Sequence, residues 1–324
     1  MPMRMLIPIP DRFNRSLSRA SQTVRMGYLH GALREGLSAR LVEYRHLRQT
    51  MDAQVGAIVW LTYDDYRFLD EDTLRLLRDR PHIVNVNVWF DGMEALHERY
   101  NAPNPAIPEE LRRRVLDSEP DFVWSSAPEA YLAHYEGWRK AGARVVSLPW
   151  ACDVTRYYPS PSPQFSRVDV AFVGGYRPYK EPQYAERLWP YEDRLHVWGY
   201  SEWPRCYRGY LPNELERILY TQAVFCPTLS EPQFAVTGDT VERPFKIMGC
   251  QGLTVLDIPC YRELFHENEV LIAPDVSSYG ELVERLFIDR DLCAEYRRAG
   301  YKAVLARHTY AHRVQTILDE LCLK

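Results

Sequence analysis

The stretch Asp169-Val-Ala-Phe-Val-Gly-Gly175 decides the fold of this chain. Val168–Val173 is an apolar run of the kind that forms a buried parallel strand, and Gly174-Gly175 indicate a tight turn out of that strand. Arg177 and Lys180 follow at once, so cations lie near a backbone that a ligand can approach closely. A glycine pair without the GxGxxG spacing is equally typical of an ordinary turn. The stretch therefore predicts an α/β unit and leaves its ligand open.

Short apolar runs alternate with helical patterns through the rest of the second half, which is the signature of a doubly wound α/β domain. The predicted strands are Val168–Val173, Leu195–Trp198, Val224–Pro227, Leu253–Leu256 and Val270–Ile272. The predicted helices are Asn213–Tyr220, Phe245–Cys250, Tyr279–Phe287, Asp291–Leu305 and His312–Leu321.

The first half follows the same alternation, and we expect a doubly wound domain there as well. The predicted strands are Arg4–Ile9, Ala39–Tyr44, Ala57–Leu61, Ile83–Trp89, Phe122–Ser125 and Val145–Leu148. The amphipathic helical stretches include Ser21–Glu35, Thr73–Arg80, Glu109–Leu116 and Pro128–Lys140.

A proline-rich segment separates the two halves. Tyr157–Ser166 has three prolines in five positions, which forbids a helix and favours an extended linker. We predict an N-terminal Rossmann-like domain over residues 1–155, a linker over 156–166 and a C-terminal Rossmann-like domain over 167–324, with the last helix crossing back to the N-terminal domain. Two such domains that face each other leave a cleft at the carboxyl ends of their strands, where open α/β sheets bind ligands.

Composition places the chain among ordinary globular proteins, with 26% charged and 46% hydrophobic residues. The longest apolar runs are too short to span a bilayer, and the N-terminus lacks the apolar stretch of a signal peptide, so we expect a cytoplasmic protein. Seven cysteines without a CxxC pair suggest neither a disulfide framework nor a zinc site. The net charge is −4, yet nine arginines against three acidic residues make the first 48 positions basic.

Several motifs of the second half stand in a fixed order and spacing. They include Asp169–Gly175, Trp198-Gly199, Glu242-Arg243-Pro-Phe-Lys246, Glu263-Leu-Phe265, Tyr279-Gly-Glu-Leu and His308-Thr-Tyr-x-x-Arg313. Thinner matches in the first half are Trp89-Phe-Asp91, Asp121-Phe122 and Leu148–Asp153. This pattern resembles the CgeB-like, spore-coat-type branch of the GT-B glycosyltransferases. The resemblance implies a metal-independent transferase with no required cofactor, which takes a sugar from a nucleoside diphosphate sugar, with a UDP-sugar as the expected donor.

One position departs from that family. The family has Phe-Glu after the arginine, where the carboxylate reaches the ribose hydroxyls of the nucleotide, whereas this chain has Phe245-Lys246. A lysine cannot accept those hydrogen bonds, but it can meet a diphosphate as a point charge. Glu242, four residues earlier, is the alternative carboxylate for the ribose.

A hydroxyl-rich turn leads into the helix that carries this arginine. Thr237, Asp239 and Thr240 precede Glu242 and Arg243, and unpaired N–H groups at a helix start favour anions. We predict that this turn cradles the diphosphate and that Arg243 stabilises the leaving group. Asp and Thr also cap helices for purely local reasons. In the GT-B fold the Gly174-Gly175 loop faces the cleft, so Gly174, Gly175 and Arg177 join the donor-side candidates.

Asp91 is the candidate general base. It ends the apolar run Val86–Phe90 at the carboxyl edge of a predicted strand, and shielding by aromatic neighbours would raise its pKa toward the working range of a base. Asp-Gly at positions 91 and 92 is equally typical of a turn.

The loop after the first predicted strand carries three arginines, Arg12, Arg15 and Arg19, which are candidates for acceptor binding. The acceptor is predicted to be a carrier, a glycan or an anionic molecule such as DNA with a hydroxymethylated base, and binding to DNA should weaken with salt. The null hypothesis is that these arginines only solvate a helix and its loop.

Two motifs that resemble metal sites have simpler explanations. Asp70-Glu-Asp72 has DxD spacing but precedes a helical pattern, where acidic residues are expected in the first turn. His308 and His312 lack a third ligand nearby. The sequence thus predicts a glycosyltransferase without a metal. The alternatives are a nucleotide-sugar epimerase of the same fold, which needs no acceptor, and a non-catalytic protein that binds nucleotide sugars or nucleic acid.

Overall fold

The computed structural model describes residues 3–10, 19–87, 107–165 and 168–322. The chain divides into two compact units. The first contains Met1–Pro149 together with Tyr310–Lys324, and the second contains Trp150–Thr309. Each unit is described by itself below.

A sheet of six parallel strands forms the centre of the first unit, in the order β2-β1-β3-β4-β5-β6. Its strands are β1 (Arg4–Ile9), β2 (Ser38–Glu43), β3 (Ile58–Thr62), β4 (His82–Asn85), β5 (Phe122–Ser125) and β6 (Val145–Ser147). Because the chain runs from β1 outward to β2 and then returns past β1 to β3, the direction of winding reverses between β1 and β3. This is the point at which open α/β sheets bind ligands.

Helices cover both faces of this sheet. They are α1 (Arg19–Arg34), α2 (Tyr44–Ala53), α3 (Glu71–Leu77), α4 (Glu109–Asp117), α5 (Glu136–Lys140) and α12 (Tyr310–Glu320), with 3-10 turns at Tyr63–Arg67 and Glu129–Tyr135. Leu47, Leu74, Val115 and Trp138 of α2 to α5 share one apolar core with alternate strand residues such as Val59. These four helices therefore pack on the same face of the sheet.

The opposite face is covered by α1 and the C-terminal α12. Trp60 and Trp124 point to this side and contact the Tyr28 ring, with centroids 4.9 and 5.9 Å away. Tyr310 of α12 meets Tyr28 edge-on at 4.9 Å. A Cβ atom on Gly27 of α1 would lie 2.2 Å from the Tyr310 ring, so the absence of a side chain there permits the close approach of the two helices.

The second unit is built on parallel strands as well. Strands β7 (Val170–Val173) and β8 (Leu195–Trp198) form one pair, while β9 (Cys226–Thr228), β10 (Thr254–Leu256) and β11 (Leu271–Ile272) form a three-stranded sheet in the order β11-β10-β9. A parallel bridge between Val170 and Phe225 joins β7 to the chain just ahead of β9. All five strands thus run in one direction across the unit.

The helices of this unit are α6 (Glu181–Arg187), α7 (Asn213–Gln222), α8 (Phe234–Thr237), α9 (Arg243–Gly249), α10 (Val276–Ile288) and α11 (Arg290–Arg307). Short 3-10 turns lie at Pro163–Phe165, Pro178–Lys180, Trp189–Tyr191 and Pro259–Glu263. The core is rich in aromatic side chains, since Phe172, Tyr184, Trp189 and Trp203 contact one another around β7.

The segment ahead of β7 belongs to the second unit. Cys152 pairs with Thr309 in a parallel bridge, the Tyr157 hydroxyl donates to Glu216 at 2.7 Å, and the Ser160 N–H donates to the Thr221 hydroxyl at 3.0 Å. These contacts place the division at residues 149 and 150, ahead of the segment 156–166 that the sequence predicts as a linker. In the described residues, no helix is long and apolar enough to cross a membrane.

Candidate functional site

The turn after β7 lies at the carboxyl edge of the second unit, beside the end of β8. The Gly174 N–H donates to the Trp198 carbonyl oxygen at 2.8 Å, and the Gly174 carbonyl oxygen accepts from the Trp203 indole N–H at 2.8 Å. A Cβ atom on Gly199 would lie 2.0 Å from that same carbonyl oxygen. The two strand ends can approach this closely only because position 199 has no side chain.

The structure brings Arg243 to this turn. Its guanidinium carbon lies 4.6 Å from the centre of the Phe172 ring, the last aromatic residue of β7. A Cβ atom on Gly174 would lie 3.0 Å from Arg243 Nη2. Two candidates that are 69 positions apart in the sequence therefore meet at one place, where a cation lies beside the half-buried turn at the strand end.

Gly175 and Arg177 form the outer part of the same turn. A Cβ atom on Gly175 would lie 2.4 Å from the Tyr200 ring, so the ring covers the glycine directly. Arg177 Nη2 donates to the Tyr200 hydroxyl at 2.8 Å. Tyr200 is 58% exposed, and it therefore presents an open aromatic surface next to the candidate turn.

Lys180 is a second cation at this edge and is almost fully buried. Its Nζ donates to the Leu229 carbonyl oxygen at 2.9 Å and lies 3.8 Å from Glu231 Oε1. Burial lowers the pKa of Lys180, the Glu231 carboxylate opposes that effect, and the nearby Arg243 charge adds to it. The sequence shows only that Lys180 follows the turn closely. Its short distance along the chain from Gly174 is the signal that it belongs to the site.

Two carboxylates that lie at this edge are not identified by the sequence analysis. Glu231 follows β9 and accepts a hydrogen bond from the Tyr179 hydroxyl at 2.6 Å. Asp257 follows β10 and accepts from the N–H and the hydroxyl of Ser230 at 2.7 and 2.9 Å. Burial raises the pKa of Asp257, and its hydrogen bonds with Ser230 oppose that shift. Their only sequence signal is their place after a predicted strand, since Asp257 directly follows Leu253–Leu256 and Glu231 is the fourth residue after Val224–Pro227.

The turn ahead of α9 is buried and internally hydrogen-bonded. Thr237, Asp239 and Thr240 are each at most 2% exposed, and the Thr237 hydroxyl donates to Asp239 Oδ2 at 2.8 Å. Gly238 between them has φ +73°, the left-handed conformation that ends α8. Neither Asp239 nor Thr240 is the residue that precedes α9; that residue is Glu242, which makes no side-chain capping hydrogen bond.

Glu242 and Lys246 form an ion pair within the start of α9. Lys246 Nζ lies 2.5 Å from Glu242 Oε2, and the side chains are 11% and 8% exposed. The same Nζ lies 5.1 Å from the centre of the Tyr157 ring, whose hydroxyl is bound to Glu216. Lys246, which stands where the resemblance leads us to expect a glutamate, is thus held next to Glu242, the carboxylate that the sequence offers as its substitute.

Several candidates of the first unit lie outside the described residues. These are Asp91, the predicted base, and Arg12 and Arg15, the predicted acceptor contacts. Arg19 opens α1, but its side chain is likewise outside the description. Asp70 caps α3 by accepting from the Thr73 N–H at 2.7 Å, as its position before a helix predicts. Within the described ranges, no three His, Cys, Asp or Glu side chains are grouped so that they could hold a metal.

The chain resembles known proteins in part of its sequence and in its fold. Residues 182–319 match the sequence profile of the family described as "Glycosyl transferase-like". Sucrose-phosphate synthase from Thermosynechococcus elongatus superposes with a TM-score of 0.63 at 11% identity, covering 99% of both chains. T4 phage BGT, solved with UDP and Mn²⁺, superposes with a TM-score of 0.61 at 9% identity, covering 98% of this chain and 99% of that one. The chain has the GT-B fold.

A third similar structure is the N-terminal domain of trehalose-6-phosphate phosphatase from Candida albicans, with a TM-score of 0.61 at 9% identity and coverage of 100% of this chain and 97% of that one. No curated protein sequence matches the chain. The family match and the GT-B fold support a glycosyltransferase of the group 1 type and, with it, glycosyl transfer as the class of reaction.

Proposed function

We propose that the protein transfers a sugar from a nucleoside diphosphate sugar to an acceptor hydroxyl, with a UDP-sugar as the donor. The observation that carries this proposal is the meeting of Arg243 with the Gly174 turn, since it puts a guanidinium beside a strand end that a diphosphate can approach. The donor class is supported by the T4 phage BGT structures, which contain UDP in one case and UDP-glucose in another.

The diphosphate would be bound by the three cations of this edge. Arg243 offers a planar group that can bind two phosphate oxygens, and Lys180 offers a point charge from a position fixed by Leu229. Arg177 lies on the exposed side of the turn and would meet the outer oxygens. Because Lys180 is buried, its charge is screened less by solvent than that of a surface lysine.

These cations would act mainly on the leaving group. During transfer the bond between the anomeric carbon and the diphosphate oxygen breaks, its electron pair stays on that oxygen, and a bond to the acceptor oxygen forms. Preorganised positive groups that stabilise charge developing on an oxygen lower the barrier. The acceptor proton passes to a base, for which Asp91 remains our candidate. Arg177, Lys180 and Arg243 supply the positive charge that a metal would otherwise provide, so we propose metal-independent transfer.

We also propose roles for the remaining candidates on the donor side. Thr237, Asp239 and Thr240 would shape the turn that leads to Arg243, and the Glu242 carboxylate would be the group that accepts hydrogen bonds from the ribose hydroxyls. Lys246, bound to Glu242 at 2.5 Å, would then orient that carboxylate.

The test is incubation of the protein with UDP-glucose, UDP-galactose, UDP-N-acetylglucosamine, GDP-mannose and ADP-glucose, each with and without a pool of acceptor glycans and with EDTA in every reaction. The proposal predicts release of UDP and a glycosylated product that requires the acceptor. An epimerised UDP-sugar formed without acceptor would replace the transferase with an epimerase. Turnover that appears only when Mn²⁺ is supplied in place of EDTA would contradict the metal-independent reaction.

A further inference from the structure

A polar groove of about 740 Å³ opens on the first unit. Pro10 at the end of β1, Tyr44 at the start of α2 and the stretch from Phe68 to Asp70 ahead of α3 contribute to its walls. All of these follow the carboxyl ends of β1, β2 and β3. The groove therefore borders the place where the sheet reverses its direction of winding, where open α/β sheets bind ligands.

Two stacked aromatic rings form one wall of this groove. The Tyr44 and Phe68 rings are 5.1 Å apart and inclined by 14°, and Phe68 is 60% exposed. An exposed phenylalanine is costly to keep in water, yet its flat face is well suited to the apolar C–H face of a sugar ring.

The aromatic wall is held from behind by a buried carboxylate. Asp65, 1% exposed, accepts from Arg25 Nη2 at 2.6 Å and from the Thr62 N–H at 2.7 Å, and the Tyr44 hydroxyl donates to it as well. Arg25 is itself fixed by donating to the Pro8 carbonyl oxygen at 3.0 Å. Tyr44 is thus oriented before any ligand arrives, which reduces the entropy lost on binding.

The charges of the described groove residues balance. Among them, Arg45 and Arg48 stand against Asp52 and Asp70, so their formal charges sum to zero. Both arginines are also paired with carboxylates outside the lining, Arg45 with Glu43 at 2.5 Å and Arg48 with Asp72 at 2.7 Å, so the described residues offer an anion no excess of positive charge. Gln49 and Asp52 also line the groove, and in the part of the chain that the structure describes no hydrogen bond engages either side chain. Planar amide and carboxylate groups of this kind bind hydroxyl pairs, whereas a phosphate would need excess positive charge.

We propose that this groove binds a neutral carbohydrate, with a sugar ring on Phe68 and hydroxyl groups hydrogen-bonded to Gln49 and Asp52. If the protein is the proposed transferase, this groove holds its acceptor, and the acceptor is then an uncharged glycan. Binding of a carbohydrate in the groove does not depend on the transfer reaction and can be measured without it.

The test combines an array of neutral, phosphorylated and sialylated oligosaccharides with NMR titration of the neutral oligosaccharide that binds best. We expect a neutral oligosaccharide to bind, and Phe68→Ala to weaken that binding about tenfold, which is the loss of one aromatic contact. Asp52→Asn should weaken it as well. Val55→Ala, at a residue 76% exposed just past the end of α2 and not among the groove residues, is the matched control and should bind like the unaltered protein.

Three results would overturn the assignment: no neutral glycan bound on the array, tighter binding of phosphorylated sugars, or equal binding by the Phe68→Ala and Val55→Ala variants. The rise in melting temperature with UDP is measured on the same preparations. Loss of sugar binding in Phe68→Ala with an unchanged UDP effect supports the groove. If UDP does not raise the melting temperature while sugar binding is normal, the proposed transferase is contradicted and the carbohydrate site in the groove is not.

Discussion

Arg243 Nη2 lies 3.0 Å from the point where a Cβ atom on Gly174 would be, so the guanidinium would have to shift by a few tenths of an ångström to admit a side chain at position 174. The guanidinium also lies over Phe172, at 4.6 Å from the ring centre. The side chain therefore lies at the strand end without a ligand, as expected of a group that stabilises a developing charge.

Replacement of Arg243 by alanine should lower kcat/KM for the UDP-sugar by about 100-fold or more, because one preorganised donor to the leaving group is lost. The fold should persist, since the loss is one cation–π contact of about 1 kcal/mol. Steady-state kinetics and circular dichroism check both expectations. Arg285→Ala, on the exposed side of α10, is the matched control. Equal kinetics for the two variants would mean that the diphosphate is bound elsewhere.

Gly174→Ala tests the same contact from the other side. The new methyl group would lie 3.0 Å from Arg243 Nη2 and 3.1 Å from the buried Phe172 ring, so the flexible arginine should move first. We expect weaker UDP binding and a stability loss of about 1 kcal/mol. Isothermal titration with UDP and urea unfolding measure the two effects. Gly280→Ala, where the nearest neighbour is 3.9 Å away, provides the control and should bind UDP normally. Unchanged UDP affinity in Gly174→Ala would separate the glycine from the donor site.

The ion pair of Glu242 and Lys246 should be strongly coupled. Lys246→Met leaves a buried carboxylate without its cation and should cost about 3 kcal/mol or more of unfolding free energy. The double variant Glu242→Gln with Lys246→Met removes both charges and should recover most of that loss. Urea unfolding of the single and double variants gives the coupling energy. Arg75→Met, which breaks the exposed pair with Asp72, should change stability little. Additive losses would show that the two charges do not depend on each other.

His82 should make the stability of the first unit depend on pH. Burial lowers its pKa below 6.5, against a smaller opposing effect of the Arg80 carbonyl oxygen, which accepts from Nδ1–H at 2.9 Å, and of Asp121. Below pH 6.5 the unfolded chain then takes up a proton that the folded chain refuses, so the free energy of unfolding falls with falling pH. The slope for this one group is at most about 1.4 kcal/mol per pH unit.

The measurement for His82 is urea unfolding from about pH 8 down to about pH 5, compared with His82→Gln, which lacks the titrating ring. The difference between the two proteins isolates histidine from the carboxylates. A difference that stays constant over this range would show that protonation of His82 is not linked to folding.

Much of the fold could be predicted, because short runs of apolar residues and the turn residues between them specify the strands locally. Arg4–Ile9, Phe122–Ser125 and Leu195–Trp198 are strands as their patterns predict. Helix α2 is not among the predicted helices, because only Leu47 and Met51 of Tyr44–Ala53 are buried and most of the other residues are charged or polar. These two residues are four positions apart and so lie on one helix face, but two buried residues are a short signal in a ten-residue segment.

The candidate site could be predicted only in part for a related reason. Gly174, Arg177 and Arg243 stand out because glycine pairs and arginines near strand ends are visible in a sequence. Glu231 and Asp257 do not, because single carboxylates after short strands are common and only the parallel sheet brings their strand ends together. Which residues meet across distant turns is decided by sheet order, and a single sequence does not encode it locally.

The measurement that tests the central claim most directly is a crystal structure of the protein with UDP. We expect the diphosphate beside the Gly174 turn, with oxygens within hydrogen-bonding distance of Arg243 and Lys180. Diphosphate bound at another place, or a Gly174 turn that remains closed over by Arg243 and Tyr200 at saturating UDP, would contradict it.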